Sequence, residues 1–140
     1  MILSIDFNSE EPIYLQIRSQ IVHAVATGEL QAGDALPSVR SLAADLGVNM
    51  HTVNKAYAVL RDEGYATMRR GSGVVIADRA ASLSPETRSL DRDRLAEELR
   101  RLALEHRARG GSKEDFVSLA AAQAAAAYDA APNGSAAERG

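Results

Sequence analysis

The chain has 140 residues, a length that suits one compact domain with an accessory segment. The absence of cysteine excludes disulfides and cysteine-ligated zinc, and it fits a reducing compartment. The net charge of −3 excludes general basicity as a source of nucleic-acid affinity, so any such affinity must come from the placement of individual basic residues. The first residues, MILSIDFNSEEP, show neither a signal peptide nor a membrane span, and we expect a cytoplasmic protein.

The first predicted helix begins at Pro12, whose missing N–H is tolerated in a first helical turn. Gly28 is a typical helix-terminating glycine, and residues 31–37 then form a connector with a Gly-Asp turn signal. Apolar residues recur within the helix at spacings of three and four, which predicts one stripe facing a core. The stripe consists of Tyr14, Ile17, Ile21 and Val25.

Two short helices joined by a tight turn are predicted next. Ser38 is a good N-cap for the first of them, because its hydroxyl can accept a hydrogen bond from a free backbone N–H. Gly47 supplies the left-handed conformation that ends this helix, and Asn49 caps the second, which stops at Gly64. The predicted inward residues are Val39, Leu42, Ala43 and Leu46 on the first helix, and Val53, Ala56, Tyr57 and Leu60 on the second.

Two short strands, residues 65–70 and 74–77, are predicted to flank a Gly71-Ser72-Gly73 tip, a loop length that suits a β-hairpin. A short helix, a tight turn, a second helix and a hairpin are the parts of a winged helix-turn-helix, which places its second helix in a DNA major groove. The predicted fold class is therefore mainly α with a small β-hairpin: a winged helix-turn-helix, residues 1–78, followed by a two-helix C-terminal region.

Residues 79–140 are predicted to form a short helical dimerisation region with a flexible tail. A charged helix spans roughly Pro85 to Ala108, a second begins near Ser112 and runs to about Ala127, and residues 129–140 are expected to be frayed. Two isolated helices bury little apolar area, so a seam with a second copy is favoured over packing on their own domain. The predicted seam residues are Leu95, Leu99, Leu102, Phe116 and Leu119.

Several segments, taken in order, resemble the N-terminal domain of the GntR family of bacterial transcription regulators. They are PIYLQIRSQIVHAVATGEL, GDALPSVRSLAADLGVNMHTVNKAYAVL, DEGY and RRGSGVVI, and they span roughly residues 10–77. The short remainder resembles the two-helix C-terminal part of the YtrA subfamily, which mainly supports dimerisation. The resemblance implies a sequence-specific regulator, expected to be a repressor, that binds an inverted-repeat operator as a homodimer.

The resemblance also assigns DNA contacts by position. Arg40 matches a family arginine that contacts DNA, residues 49–52 match the start of the recognition helix, and Gly71 and Gly73 match the wing tip. Met50 departs from the family pattern, because many relatives have an arginine there that reads guanine, and methionine cannot donate a hydrogen bond. The predicted DNA-binding residues are Ser38, Arg40, Asn49, Met50, His51, Thr52, Asn54, Lys55, Arg69, Arg70, Gly71 and Gly73.

Each predicted contact has a simpler structural interpretation beside it. Ser38 and Asn49 are also explained as helix caps, and Arg69 and Arg70 as a solvated strand end. Arg40 suits either a phosphate clamp or bidentate readout of guanine, and asparagine suits adenine edges.

An enzyme is not expected, because cysteine is absent, the three histidines lie on different elements and no phosphate-binding glycine loop precedes a helix. No cofactor or metal site is predicted. The stronger alternative is a winged helix that acts as a protein-interaction module without direct DNA readout. A small-molecule effector stays open, since no set of residues indicates a ligand class.

Overall fold

A computed structural model describes residues 1–79 and 83–129 of the chain. It divides into two compact units near residue 81. The first holds the predicted winged helix-turn-helix and the second a pair of helices, so the predicted fold class is confirmed. Residues 80–82 of the predicted C-terminal region and 130–140 of the predicted frayed tail lie outside the described residues. The elements are α1 (Ile13–Ala26), α2 (Val39–Leu46), α3 (Met50–Asp62), β1 (Ala66–Arg69), β2 (Gly73–Ile76), α4 (Pro85–Ala108) and α5 (Lys113–Tyr128).

The core of the first unit lies where α1 packs on α3. Ile17 and Ile21 are completely buried there, and Tyr14 and Val25 are partly buried against the same cluster, so the predicted stripe is confirmed. Two of the eight residues predicted to face inward on α2 and α3, Val39 and Leu46, are partly buried. The other six are buried: Leu42, Ala43, Val53, Ala56, Tyr57 and Leu60.

The turn between α2 and α3 has the geometry that its residue types predict. Gly47 adopts φ 68°, a left-handed conformation that costs a glycine little. The Ser38 hydroxyl accepts a hydrogen bond from the Ser41 N–H at 3.1 Å, and Asn49 Oδ1 accepts one from the His51 N–H at 2.8 Å. Local capping therefore defines where both helices begin.

The tip of the hairpin lies one residue earlier than predicted. The loop is residues 70–72, and Gly73 already belongs to β2, where it pairs with Arg69. The Ser72 N–H donates to the Arg69 carbonyl at 3.0 Å and closes a four-residue turn, while Gly73 takes φ 71°. A left-handed glycine after a tight turn re-enters the ladder directly, which is why Gly73 is a strand residue and not a tip residue.

The connector before α2 runs along the hairpin, which the sequence did not predict. The Gly33 N–H donates to the Ile76 carbonyl at 2.8 Å, and the Leu36 N–H donates to the Val74 carbonyl at 2.9 Å. Ala35 forms a β-bridge with Val75 between these bonds. The backbone immediately before α2 is therefore tied to β2.

Gln16 is a buried polar residue that the apolar periodicity could not predict. Its side chain is 8% exposed, and its amide makes three hydrogen bonds to backbone groups of the N-terminal segment. Oε1 accepts from the Asp6 N–H at 2.9 Å, while Nε2 donates to the carbonyls of Asp6 at 3.0 Å and Glu11 at 2.9 Å. These bonds offset the cost of burying the amide, and they hold residues 6–11 against the start of α1.

The second unit consists of α4 and α5, and residues 83–129 contain no buried side chain. Both helices begin at serine N-caps, Ser84 and Ser112, and the predicted bounds of α4 are confirmed. At the turn between them the His106 imidazole lies against Gly111, where an added Cβ would collide with the ring. Within the two described ranges, no helix has the length and apolarity needed to cross a membrane.

Candidate DNA-binding surface

The start of α3 carries the largest group of predicted contact residues. Met50, His51, Asn54 and Lys55 are exposed, and Thr52 is half-buried. The opposite face of the same helix is buried in the core. This end of α3 therefore presents polar groups and one thioether outward on a helix whose position is held by its apolar face.

Asn49 and Ser38 cap their helices and remain exposed. The Ser38 oxygen accepts the cap bond, so its hydroxyl hydrogen is available to a phosphate. The Asn49 cap engages Oδ1, which a bidentate contact with adenine also needs, so this side chain is better suited to donating from Nδ2. The structural and functional interpretations of the two caps are compatible.

Arg40 lies exposed in the first turn of α2. The N-terminus of a helix carries a partial positive charge, and a guanidinium beside it strengthens the attraction for an anionic oxygen. Arg18, by contrast, is engaged within the fold: its Nε and Nη2 donate to the Glu63 carboxylate at 2.9 and 2.7 Å. The bonds to Glu63 raise the pKa of Arg18 and neutralise its charge locally. Arg40 is therefore a candidate for DNA contact, whereas Arg18 has a structural partner.

The hairpin places two arginines at its end. Arg69 closes β1, and Arg70 opens the loop; both side chains are exposed, as are Gly71 and Gly73. The Arg69 guanidinium lies close to Gly33 in the connector, 3.9 Å from the position that a Cβ would take there. Arg70 lies exposed in the turn, directly before Gly71, which has no side chain.

Tyr57 links the two helices of the motif from inside the core. It is 2% exposed, and its hydroxyl donates to the Pro37 carbonyl at 2.8 Å. Pro37 directly precedes the Ser38 cap, so this bond fixes the start of α2 relative to α3. Burial raises the pKa of Tyr57 to about 12. The sequence indicated a core tyrosine but could not show its hydrogen-bond partner.

We expect Tyr57→Phe to destabilise the protein by about 1 kcal/mol near neutral pH, because it removes this bond. The wild type ionises Tyr57 near pH 10 when unfolded but near 12 when folded. Its stability is therefore complete below pH 10 and falls as the pH rises toward 12, and the variant lacks this loss. Urea midpoints across pH 8–12 test both expectations, with the 91% exposed Tyr128→Phe as the control. A constant gap between wild type and Tyr57→Phe would contradict them.

The described residues do not gather three or more histidine or carboxylate side chains into a group that could hold a metal ion. The five predicted seam residues all lie in the second unit. Phe116 is half-buried, with its ring centroid 5.9 Å from that of His106. Leu95, Leu99, Leu102 and Leu119 are 43–61% exposed.

A helix-turn-helix followed by a basic hairpin defines a winged helix-turn-helix protein. The model of the family described as "Bacterial regulatory proteins, gntR family" matches residues 13–76. YtrA from Sulfolobus acidocaldarius, described as a GntR-family transcription factor, is 43% identical over 71% of this chain and 98% of its own, with a TM-score of 0.55. The chain belongs to the GntR family, and it is a YtrA-like member.

Two further relatives differ in how much of the chain they match. The transcriptional repressor YtrA of Bacillus subtilis is 42% identical over 78 residues, which cover 56% of this chain and 60% of the relative. A protein described as a transcriptional antiterminator from Listeria monocytogenes is 30% identical over 94% of this chain and 96% of its own, with a TM-score of 0.76. The chain spans about three fifths of the length of the first curated relatives that it matches.

Proposed function

We propose that this protein is a transcriptional regulator that binds a specific DNA operator through the start of α3, the start of α2 and the hairpin. The observation that carries the proposal is the two-sided character of α3, which is buried along one face and polar and exposed at its N-terminal end. A helix of this kind can enter a major groove without losing its support. Membership of the GntR family supports the same function.

The proposed contacts divide by chemistry. Ser38, Thr52 and Lys55 suit phosphate oxygens, while Asn54 and His51 can reach base edges. Met50 suits the methyl group of thymine. At the hairpin, Arg69 and Arg70 suit the backbone or the adjacent minor groove, with Gly71 and Gly73 keeping the wing thin.

We also propose that residues 79–140 make the protein a homodimer, with residues 1–78 as the DNA-binding domain. The support is energetic: the described part of the second unit buries no side chain and leaves six leucines 43–61% exposed, including the four leucines of the predicted seam. Burying one leucine against a partner contributes about 1.5–3 kcal/mol. A two-fold dimer presents two recognition helices about 34 Å apart, which matches an inverted repeat.

Repression is the proposed outcome of binding, and its support is the Bacillus subtilis YtrA, which is described as a repressor. The proposal assigns the chain a binding role and no catalytic one. The proposed target is chromosomal DNA, which in bacteria lies in the cytoplasm, so we propose that the protein acts there.

Footprinting on the DNA upstream of the protein's own gene tests the proposal. We expect one protected inverted repeat, followed in titrations by binding that weakens steeply between 50 and 200 mM salt, since each neutralised phosphate releases counterions. A matched duplex with the two half-sites scrambled serves as the control. Binding to neither duplex, together with salt-insensitive binding to another protein, would instead identify a protein-interaction module.

A further inference from the structure

Lys55 does not project freely from α3. Its ammonium nitrogen lies 4.1 Å from the centroid of the Tyr14 ring, well inside the roughly 6 Å range of a cation–π contact. Tyr14 stands in the first turn of α1 and is half-buried, with part of its ring against the core. A proposed DNA-contacting side chain is thus held by an aromatic ring from outside the helix-turn-helix.

The chemistry of this contact leaves the lysine able to bind an anion. A tyrosine face attracts the ammonium but carries no formal charge, so the contact does not neutralise the lysine. The Arg18–Glu63 pair shows the opposite case, in which a carboxylate 2.7 Å from the guanidinium cancels the charge. With one side against the ring, the ammonium still has N–H donors directed elsewhere.

The contact also lowers the conformational entropy that the Lys55 side chain loses when it binds a ligand. Fixing a mobile lysine side chain costs up to about 2 kcal/mol of rotamer entropy. Tyr14 belongs to a helix that packs directly on α3, so the ring is a rigid support. A side chain that is already restrained in the free protein loses less entropy when it meets a ligand.

We propose that Tyr14 is a positioning residue that holds the Lys55 ammonium ready for a DNA phosphate beside the recognition helix. A phosphate is the fitting ligand because the lysine ammonium is a compact point charge and lacks the planar fork with which arginine matches a base edge. Operator affinity then depends on α1 as well as on the helix-turn-helix. This proposal rests on the proposed function.

A double-mutant cycle tests it on the full-length protein and the footprinted duplex. Tyr14→Leu removes the ring face but keeps an apolar side chain, Tyr14→Phe keeps the ring, and Lys55→Met removes the charge while keeping the length. We expect Tyr14→Leu to weaken binding about two- to fivefold, as an exposed cation–π contact predicts, and Tyr14→Phe to bind like the wild type. In the Lys55→Met background, Tyr14→Leu should have no further effect.

The salt dependence of binding separates positioning from contact. Lys55→Met should reduce the slope of log K against log salt by about one, the value for one lost phosphate contact. Tyr14→Leu should leave the slope unchanged, because the lysine still reaches the phosphate but less often. Equal weakening by Tyr14→Leu in both backgrounds would overturn the proposal, as would no effect. Tighter binding would also overturn it, because the ring would then compete with DNA for the ammonium.

An NMR measurement on the free protein distinguishes failure of the Tyr14 proposal from failure of the proposed function. The ring should shift the Lys55 ε-methylene proton resonances upfield in the free protein, and Tyr14→Leu should abolish that shift. If the wild type binds no duplex, the proposed function fails and this proposal fails with it, even with the upfield shift present. If the wild type binds DNA but the shift is absent, the proposed function stands and the positioning role is wrong.

Discussion

Replacing Arg40 with alanine is expected to weaken binding of the operator duplex by about 1–3 kcal/mol while leaving the fold intact. The guanidinium is exposed in the first turn of α2, where the helix N-terminus adds to the local positive potential. Because the side chain is exposed, its removal should leave the thermal midpoint near that of the wild type. Fluorescence anisotropy titrations at one fixed salt concentration provide the measurement.

A matched arginine controls for the change in net charge. Arg61 is exposed in the last turn of α3, about 16 Å along the helix axis from Met50 at 1.5 Å per residue. Arg61→Ala should therefore change affinity little. Equal weakening by the two variants would show a general charge effect, and unchanged affinity in Arg40→Ala would remove Arg40 from the proposed site.

Arg40→Lys distinguishes the two kinds of contact that the arginine can make. If Arg40 clamps a phosphate, lysine keeps the charge and should preserve much of the affinity. If it reads guanine bidentately, lysine loses the planar fork, and discrimination at one base pair of each half-site should fall. Titrations against duplexes substituted at single positions decide between them.

Leu99→Arg is expected to convert the proposed dimer to monomers. Leu99 is 43% exposed at the middle of the Leu95, Leu99 and Leu102 stripe, so a dimer that buries it would have to bury a guanidinium instead. An unpaired buried charge costs several kcal/mol, more than one leucine contact contributes. Sedimentation velocity at micromolar concentration should show a shift from the dimer mass to the monomer mass.

Glu97→Arg provides the control for this substitution. At 100° per residue, Glu97 lies about 160° around α4 from Leu99, and it is exposed. The same new side chain on that face should leave the dimer intact. Intact dimers of Leu99→Arg would reject the seam, whereas monomers of both variants would indicate a general effect on the helix. Monomeric Leu99→Arg should also lose the inverted-repeat preference, since each winged domain then binds its half-site alone.

The elements that could be predicted from sequence are those encoded by neighbouring residues. Ser38, Gly47 and Asn49 act within one helical turn of their own position, so their residue types alone indicated both caps and the turn. The inward faces of α1, α2 and α3 followed from apolar spacing. The bounds of α4, Pro85–Ala108, were likewise predicted.

Two of the misses have a different cause, which is contact between residues that lie more than one helical turn apart in the chain. The connector ladder joins Gly33 to Ile76, and Gln16 binds backbone groups five and ten residues earlier. Gly73 was placed at the tip because periodicity cannot show which residue closes a turn. Gln16, the Gly33-Asp34 turn signal and the glycines at 71 and 73 each suit several environments. Only their contact partners decide which environment each one has.

The sequence by itself determined the order of the helices, their caps and the polar end of α3, because hydrogen bonding within a turn and apolar periodicity are local properties. Only the tertiary structure decided which side chains share a surface. The bond from Tyr57 to Pro37 and the contact of Lys55 with Tyr14 span 20 and 41 residues, and they exist because α1 and α2 both pack on α3. Packing brings such groups together, and no local preference of the chain specifies which partner they meet.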